Sequence, residues 1–193
     1  MDIDSFLRDP LSRRRFFRLS GVSVAGGSAV FLAACGDSSD GRRGGTKGGD
    51  AADVEILNSA LDLELMAVAA YKAAAPVLKG SALDVAQKFL EHEQEHADGL
   101  TRAIKDMDGT PNRPKSAYDF PRVKSQRDAL RFALDLENTA VAAYLDALPK
   151  LGSPKLRGTA AAIASNEAEH IAVLRGALGR PQVPSAFVTG KAA

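Results

Sequence analysis

The chain has almost no cysteine and no tryptophan. Of its 193 residues one is a cysteine, Cys35, and aromatic residues make up only 6%. A single thiol excludes an intramolecular disulfide, a four-cysteine zinc or iron site and a CxxC redox motif. Cys35 therefore needs an explanation other than a structural bridge.

An excess of charge of one sign is also missing. Lysine and arginine total 25 and aspartate and glutamate total 24, which excludes an extended basic surface for nucleic acid. The local basic excess lies in residues 1–34, which hold five arginines against three aspartates. We therefore expect no nucleic-acid partner and look to the N-terminus for a targeting signal.

No apolar run is long enough to suggest an ordinary membrane span. Residues 19–34 are uncharged but number only 16, and glycines and serines dilute them, whereas a span needs ~20 apolar residues. A basic segment, residues 12–18, precedes this stretch, and Cys35 follows it, which is the order of a signal peptide. A short transmembrane helix or a plain basic tail is the alternative interpretation.

Two motifs refine the signal-peptide interpretation. The arginines before Phe16 and Phe17 resemble a twin-arginine export signal, and residues 32–35 resemble a lipobox, in which Cys35 is lipidated. We predict a signal peptide over residues 1–34 and a lipid anchor at Cys35. The protein would then be an exported cell-envelope lipoprotein, on the outer face of the cytoplasmic membrane or in the periplasm.

The rest of the chain divides into a tether, a helical domain and a tail. Six glycines and scattered charges in residues 36–53 predict a flexible tether, which together with Cys35 spans residues 35–53. Helical periodicity and end signals predict an all-α domain over residues 54–179, followed by a tail over 180–193. The predicted helices are Val54–Ala75, Ser81–Met107, Ser125–Leu148 and Ser153–Leu178.

The ends of these helices carry recognisable signals. Pro76 stops the first helix, and Ser153 followed by Pro154 opens the fourth. Serine followed three residues later by aspartate predicts a capping box at Ser81 and at Ser125.

The four helices form an internal repeat. The buried seams of the first and third helices match at a shift of 73 residues, and those of the second and fourth match at a shift of 74. The domain is therefore a duplicated helical hairpin. Residues 108–124 join the hairpins and, at ~3.3 Å per residue, can cross the whole bundle. A looped-out antiparallel link is the alternative.

Each buried seam carries one glutamate near the middle of its helix. These are Glu64, Glu93, Glu137 and Glu167. A buried carboxylate costs several kcal/mol unless it is paired or neutralised. Four carboxylates converging on one layer carry a charge that two divalent cations would cancel, which predicts a two-metal site.

Two histidines complete the predicted ligand set. His96 and His170 each lie three residues after a seam glutamate, so that carboxylate and imidazole share a helix face. This arrangement of six ligands suits two iron ions, with two manganese ions as the alternative. Tyr71 and Tyr144 lie two turns beyond Glu64 and Glu137. They are candidates for a catalytic role through hydrogen bonding or radical quenching, unless they are simple core aromatics.

Other ionisable residues near the seam are weaker candidates for metal ligands. His92 lies at the seam's edge, and we expect it to be at the surface or behind the ligands. Glu91, Glu95 and Glu169 lie off the seam and are expected in solvent.

Residues 54–179 resemble the ferritin-like superfamily, close in motif to rubrerythrins and bacterioferritins. The resemblance implies a four-helix bundle with a long crossover between its second and third helices. It also implies that Glu93 and Glu137, or their repeat mates, bridge two metals. The chain lacks the rubredoxin cysteines of rubrerythrins, and its signal and tether differ from storage ferritins.

The resemblance implies a di-iron oxidase, acting as a ferroxidase or peroxidase on Fe(II) with O2 or H2O2. A di-manganese, catalase-like enzyme is one alternative. Another is an envelope protein, like exported desiccation-related members, that uses metal only for stability. A site that holds no metal is the last. A homodimer is a further expectation.

Overall fold

The structure, a computed structural model, describes residues 47–191. Within that range the chain is all-α, as predicted, and the described residues include no strand. The helices are α1 (Lys47–Ala74), α2 (Ser81–Asp106), α3 (Gln126–Ala147) and α4 (Pro154–Ala177), with a 3₁₀ turn at Ala75–Val77. The proposed signal peptide, Cys35 and the first part of the tether lie outside the described residues. None of the described helices has the length and apolar character that crossing a membrane requires.

Helix α1 begins at Lys47, earlier than the predicted start at Val54, so residues 47–53 are helical rather than part of a flexible tether. A tertiary contact holds this first part. The Asp53 carboxylate accepts hydrogen bonds from the backbone N–H groups of Gly152 (2.9 Å) and Ser153 (3.3 Å). These donors precede α4, whose start favours a negative charge. The glycine-rich composition of the predicted tether did not indicate this contact.

The predicted caps hold for two helices and fail for one. The Ser125 and Ser153 side chains accept from backbone N–H groups of α3 and α4. Helix α2 instead has Gly80 as its N-cap, at φ 55°, and makes no side-chain cap bond, so the capping box at Ser81 is wrong. Glycine adopts this left-handed φ without the steric cost that a side chain brings.

The connection between the hairpins crosses the length of the bundle. Its beginning lies beside the start of α1, where the Asn58 amide donates to the carbonyl of Thr110 at 3.0 Å. At the other end, the N–H of Lys79, just beyond α1, donates to the Gln126 side chain at 3.0 Å. Helices α2 and α3 therefore run parallel, which confirms the crossover and rules out the looped-out antiparallel link.

The described core contains two large apolar clusters and a smaller one made of Ala67, Ala70 and Leu136. The first large cluster contains Phe89, Val141 and Leu174, and the other contains Leu61, Leu100 and Ile163. Glu64, Glu93 and Glu167 lie between members of the two large clusters along their helices, and Glu137 lies between Leu134 and Val141 of the first. A polar layer thus interrupts the core at mid-height, where carboxylates are most costly to bury.

Candidate metal centre

The structure brings all six predicted ligands together in the polar layer. The four glutamates and His170 are at most 1% exposed, and the His96 side chain is 12% exposed. One glutamate comes from each of α1 and α3, and a glutamate and a histidine come from each of α2 and α4. The sequence spacing predicted the placement of each glutamate–histidine pair, because a carboxylate and an imidazole three residues apart share one helix face.

The six residues form two overlapping groups that could each hold a metal ion. Within each group, the candidate ligand atoms lie within 4.8 Å of one another. The groups are Glu64, Glu93, His96 and Glu167, and Glu93, Glu137, Glu167 and His170. We call them the first and second metal positions. Glu93 and Glu167 belong to both.

The shared carboxylates correct one expectation. Glu93 and Glu137 were expected to bridge, or else their repeat mates, but the shared residues are Glu93 and its own mate Glu167. The reason is that α2 and α4 face each other across the layer. His96 Nδ1 lies 2.9 Å from Glu167 Oε1, and His170 Nδ1 lies 3.2 Å from Glu93 Oε1. Glu137 therefore serves one position only.

The buried polar atoms of the centre favour a cation. Glu93 Oε1, Glu137 Oε2, both Glu167 carboxylate oxygens and Nδ1 of both ligand histidines have no hydrogen-bond partner among the described residues. Some lie within 3.5 Å of an opposite group, but the angles do not suit hydrogen bonds. The candidate ligand atoms converge on a common space, within 4.8 Å of one another in each group, so the residues fit a pair of metal ions.

Burial and mutual repulsion divide the four carboxylates into two kinds. Burial raises the pKa of Glu64 to about 8, opposed by the contact with the His96 ring and helped by repulsion from Glu167. Burial likewise raises the pKa of Glu137 well above its usual range. Burial would raise the pKa values of the other two glutamates, but close contacts with both histidines lower the pKa of Glu93 and bring that of Glu167 to about 2.

The histidines are held as cations when no metal is bound. Burial alone would lower their pKa values, but the close contacts of Nδ1 with the carboxylates outweigh it and raise the pKa of His96 to about 12 and of His170 to about 11. The metal-free layer thus holds two carboxylates, two carboxylic acids and two imidazoliums at neutral pH. Its net charge is zero, which explains how so many ionisable groups can share a dry core.

Both predicted tyrosines reach the centre across the bundle. The Tyr71 hydroxyl donates to Glu137 Oε1, and the Tyr144 hydroxyl donates to Glu64 Oε1. Burial next to these carboxylates raises the pKa of both phenols well above the usual range. Each tyrosine thus holds the carboxylate that serves only one metal position. Their catalytic role stays a prediction.

Two residues of α2, His92 and Phe89, contact the His170 ring. His92 Nδ1 lies 3.0 Å from His170 Nε2, and the Phe89 ring stacks on the His170 ring with centroids 3.8 Å apart. His92 is half-buried, so the expected place behind the ligands is confirmed. The contact of Phe89 was missed, although its position one turn before Glu93 could have suggested it. Glu91, Glu95 and Glu169 are exposed, as expected.

Comparison with known proteins agrees with the fold. The sequence profile of the ferritin-like domain family matches residues 52–180, so the chain belongs to that family. A solved structure of a conserved hypothetical protein from Mycobacterium tuberculosis is similar, with a TM-score of 0.65 and 20% identity. The match covers 74% of this chain and 99% of that one, and at this identity it supports the fold alone. No curated protein sequence matches the chain significantly.

Proposed function

We propose that the protein is an envelope-anchored di-iron oxidase that oxidises Fe(II) with O2 or H2O2. The observation that carries the proposal is the pair of overlapping ligand groups that share Glu93 and Glu167. Carboxylates and imidazoles in this mixture suit iron, and thiolate is absent from both groups. The same set accepts manganese, so the metal is decided by measurement.

The residues of the centre have distinct tasks in this proposal. Bound iron would supply electrons to the oxidant. Glu93 and Glu167 would hold both ions, while Glu64 and Glu137 would each hold one. Tyr144 and Tyr71 orient these last two carboxylates through their hydroxyl groups. The apolar clusters above and below the layer exclude water and strengthen each electrostatic contact.

Fe(II) as the substrate fits the composition of the chain. Reducing one H2O2 to two waters consumes two electrons and two protons, and two Fe(II) ions can supply the electrons as they become Fe(III). The chain has one cysteine, outside the helical domain, so it carries no thiolate-bound electron donor of its own. A ferroxidase needs no separate donor, because its substrate is the reductant.

The experiment is metal analysis of the purified chain beside a double variant, Glu93→Gln and Glu167→Gln. These substitutions keep the side-chain shape and remove both shared carboxylates. A matched control, Glu91→Gln and Glu95→Gln, changes exposed glutamates of α2. We expect about two iron ions per chain, retained in the control and lost in the double variant.

Activity separates the remaining outcomes. Fe(II) oxidation, followed by Fe(III) absorbance with O2 or H2O2, should disappear in the double variant. Manganese in place of iron, with disproportionation of H2O2, would support the catalase-like alternative. A metal-loaded but inert protein would support a stabilising role. A chain that takes up neither metal would contradict the proposal.

Export and lipidation form a separate part of the proposal. They rest on the arginines before Phe16 and on the lipobox ending at Cys35. In a bacterial host, wild-type protein should fractionate with membranes, and Cys35→Ala should release it from them. Changing Arg13 and Arg14 to lysine should keep it in the cytoplasm. Membrane association that survives Cys35→Ala would contradict the anchor.

A further inference from the structure

We propose that the two metal positions are unequal: the second, with Glu137 and His170, binds tightly, and the first, with Glu64 and His96, is the loose position where metal enters and exchanges. The inference rests on the proposed metal centre. It arises because a duplicated hairpin supplies two equivalent positions, whose surroundings differ in three respects.

The first difference is the support of the histidines. His170 contacts His92 through its outer nitrogen, Nε2, and stacks on Phe89. At the repeat shift of 74, the counterparts of His92 and Phe89 are Asn166 and Ile163. The Asn166 amide donates to Glu169 on its own helix at 3.3 Å. The repeat therefore supplies neither a ring nitrogen nor an aromatic face at the position equivalent to His92 and Phe89.

The contact with His92 prepares His170 for a metal. If His92 accepts at Nδ1, the proton on His170 Nε2 stays in place when a metal binds, and His170 Nδ1, which faces the carboxylates, is the nitrogen that would hold the ion. The ring stack fixes the plane of this imidazole, so that little side-chain freedom remains to be lost on binding. The hydrogen bond also makes His170 a better electron donor to a cation.

The second difference is exposure. The His96 side chain is 12% exposed and that of His170 is 1% exposed. Nδ1 of each faces carboxylates at similar distances, so the difference lies in what covers the rings. Part of the His96 ring at the first position is exposed to solvent, whereas Phe89 and His92 cover the His170 ring at the second. An ion at the first position can therefore exchange with solvent more readily.

The third difference is the packing around the two tyrosines. Beside Tyr144, which holds Glu64, lies an open, mostly apolar cavity of about 240 Å³ between α1 and α3. Its counterpart beside Tyr71, which holds Glu137, measures about 10 Å³. The two cavities are related by the repeat, because residues lining one correspond to residues lining the other at a shift of 73.

Aromatic residues close the second cavity. Ser59 lines the open one, and its counterpart in the closed one is Phe132. Phe120 from the crossover packs against Phe132, with ring centroids 5.6 Å apart. The two hairpins are joined by a single crossover, so the crossover can pack beside only one of the two tyrosines, which is Tyr71. The packing beside Tyr71 is therefore tight, whereas the cavity leaves free space beside Tyr144.

All three differences point to the same side of the centre. His96, Glu64 and Tyr144 belong to the exposed and loosely packed position, and His170, Glu137 and Tyr71 belong to the covered one. Two equivalent hairpins have thus acquired one position suited to holding an ion and one suited to exchanging it. For an Fe(II) oxidase, the loose position is where substrate iron would arrive.

The test is a titration of the metal-free full chain with Co(II), followed by calorimetry and by visible absorption. The wild-type protein should bind two ions in separate steps, with affinities at least about tenfold apart. Glu64→Gln should remove the weak step and leave the tight one. Glu137→Gln should remove the tight step and leave the weak one.

His92 supplies the sharper variant, because it is not a ligand and lies partly at the surface. His92→Ala should weaken the tight step about 10-fold to 100-fold, as loss of such a supporting group does elsewhere, and leave the weak step unchanged. His92→Gln, which can offer an amide oxygen to His170 Nε2, should recover part of the loss. Circular dichroism checks that each variant is folded.

The outcomes distinguish the inference from the proposed function. Two ions bound with equal affinity, or an equal loss at both steps in His92→Ala, would overturn the inequality and leave the metal centre intact. Tight binding lost in Glu64→Gln instead of Glu137→Gln would reverse the assignment and overturn it too. A chain that binds no Co(II), Fe(II) or Mn(II) would contradict the metal centre itself.

Discussion

Lowering the pH from 7 to 6 should weaken the binding of each metal ion by about 100-fold. In the metal-free centre His96 and His170 are cationic, with pKa values of about 12 and 11. Glu64 and Glu137 are protonated because burial raises their pKa values. Every one of these four groups must lose its proton to bind a metal.

The size of the effect follows from the number of protons. Four protons shared between two ions give two per ion, one from a histidine and one from a glutamate. Each proton changes the binding free energy by ~1.36 kcal/mol per pH unit, so the total is ~2.7 kcal/mol per ion. The full slope applies below about pH 8, the pKa of Glu64. Above it that carboxylate is already ionised, and the slope falls.

The assay is calorimetric titration with Mn(II) at pH 7 in two buffers that differ in protonation enthalpy and bind metal weakly. The difference between the observed heats gives the number of protons released. We expect about two per ion, or four for the filled centre. Release of about one proton per ion or fewer would show that the histidines are neutral without metal and would refute the charge assignment.

Three further predictions concern stability and positioning. In the metal-free protein the raised pKa values of His96 and Glu64 mean that the folded state retains protons that the unfolded state loses. Its melting temperature, followed by circular dichroism, should therefore fall as the pH rises from about 5 to 8, whereas saturation with Mn(II) should reverse this trend. A metal-free protein that becomes more stable over this range would contradict the assignment. Tyr144→Phe removes the hydrogen-bond donor to Glu64. In a Co(II) titration it should weaken the affinity of the first metal position about tenfold or more and leave that of the second unchanged. An equal loss of affinity at both positions would contradict a role of Tyr144 at the first position alone. Asp53→Ala removes two hydrogen bonds at the start of α4 and should lower the free energy of unfolding by about 1–3 kcal/mol in urea, beside Asp50→Ala, an exposed neighbour, as a control that should change little.

The ligand set could be predicted from the sequence because helical periodicity alone decides which residues share a face. Glu93 and His96 lie three residues apart, and the repeat places Glu167 and His170 in the same relation. A glutamate on each apolar seam is costly, and the cost itself indicates a ligand. The number of helices followed from similarly local signals, whereas chain length only allowed the crossover, and the structure decided it against a looped-out link.

The sharing of ligands could not be predicted in the same way. It depends on which helices face each other across the layer, and periodicity carries no information about that. Glu93 and Glu167 belong to both positions because α2 and α4 meet at the centre. The start of α1 at Lys47 is a similar case, since Asp53 reaches residues about a hundred positions away.

The sequence by itself determined the helical hairpins, their duplication and the six residues of the centre. All of these follow from local spacing, hydrophobic burial and the cost of a buried charge. Only the tertiary structure decided that the two halves differ. Phe89 and His92 cover His170, and Phe132, against which Phe120 packs, narrows the cavity beside Tyr71. These contacts join helices and a crossover distant in sequence, and such contacts exist only once the chain has folded.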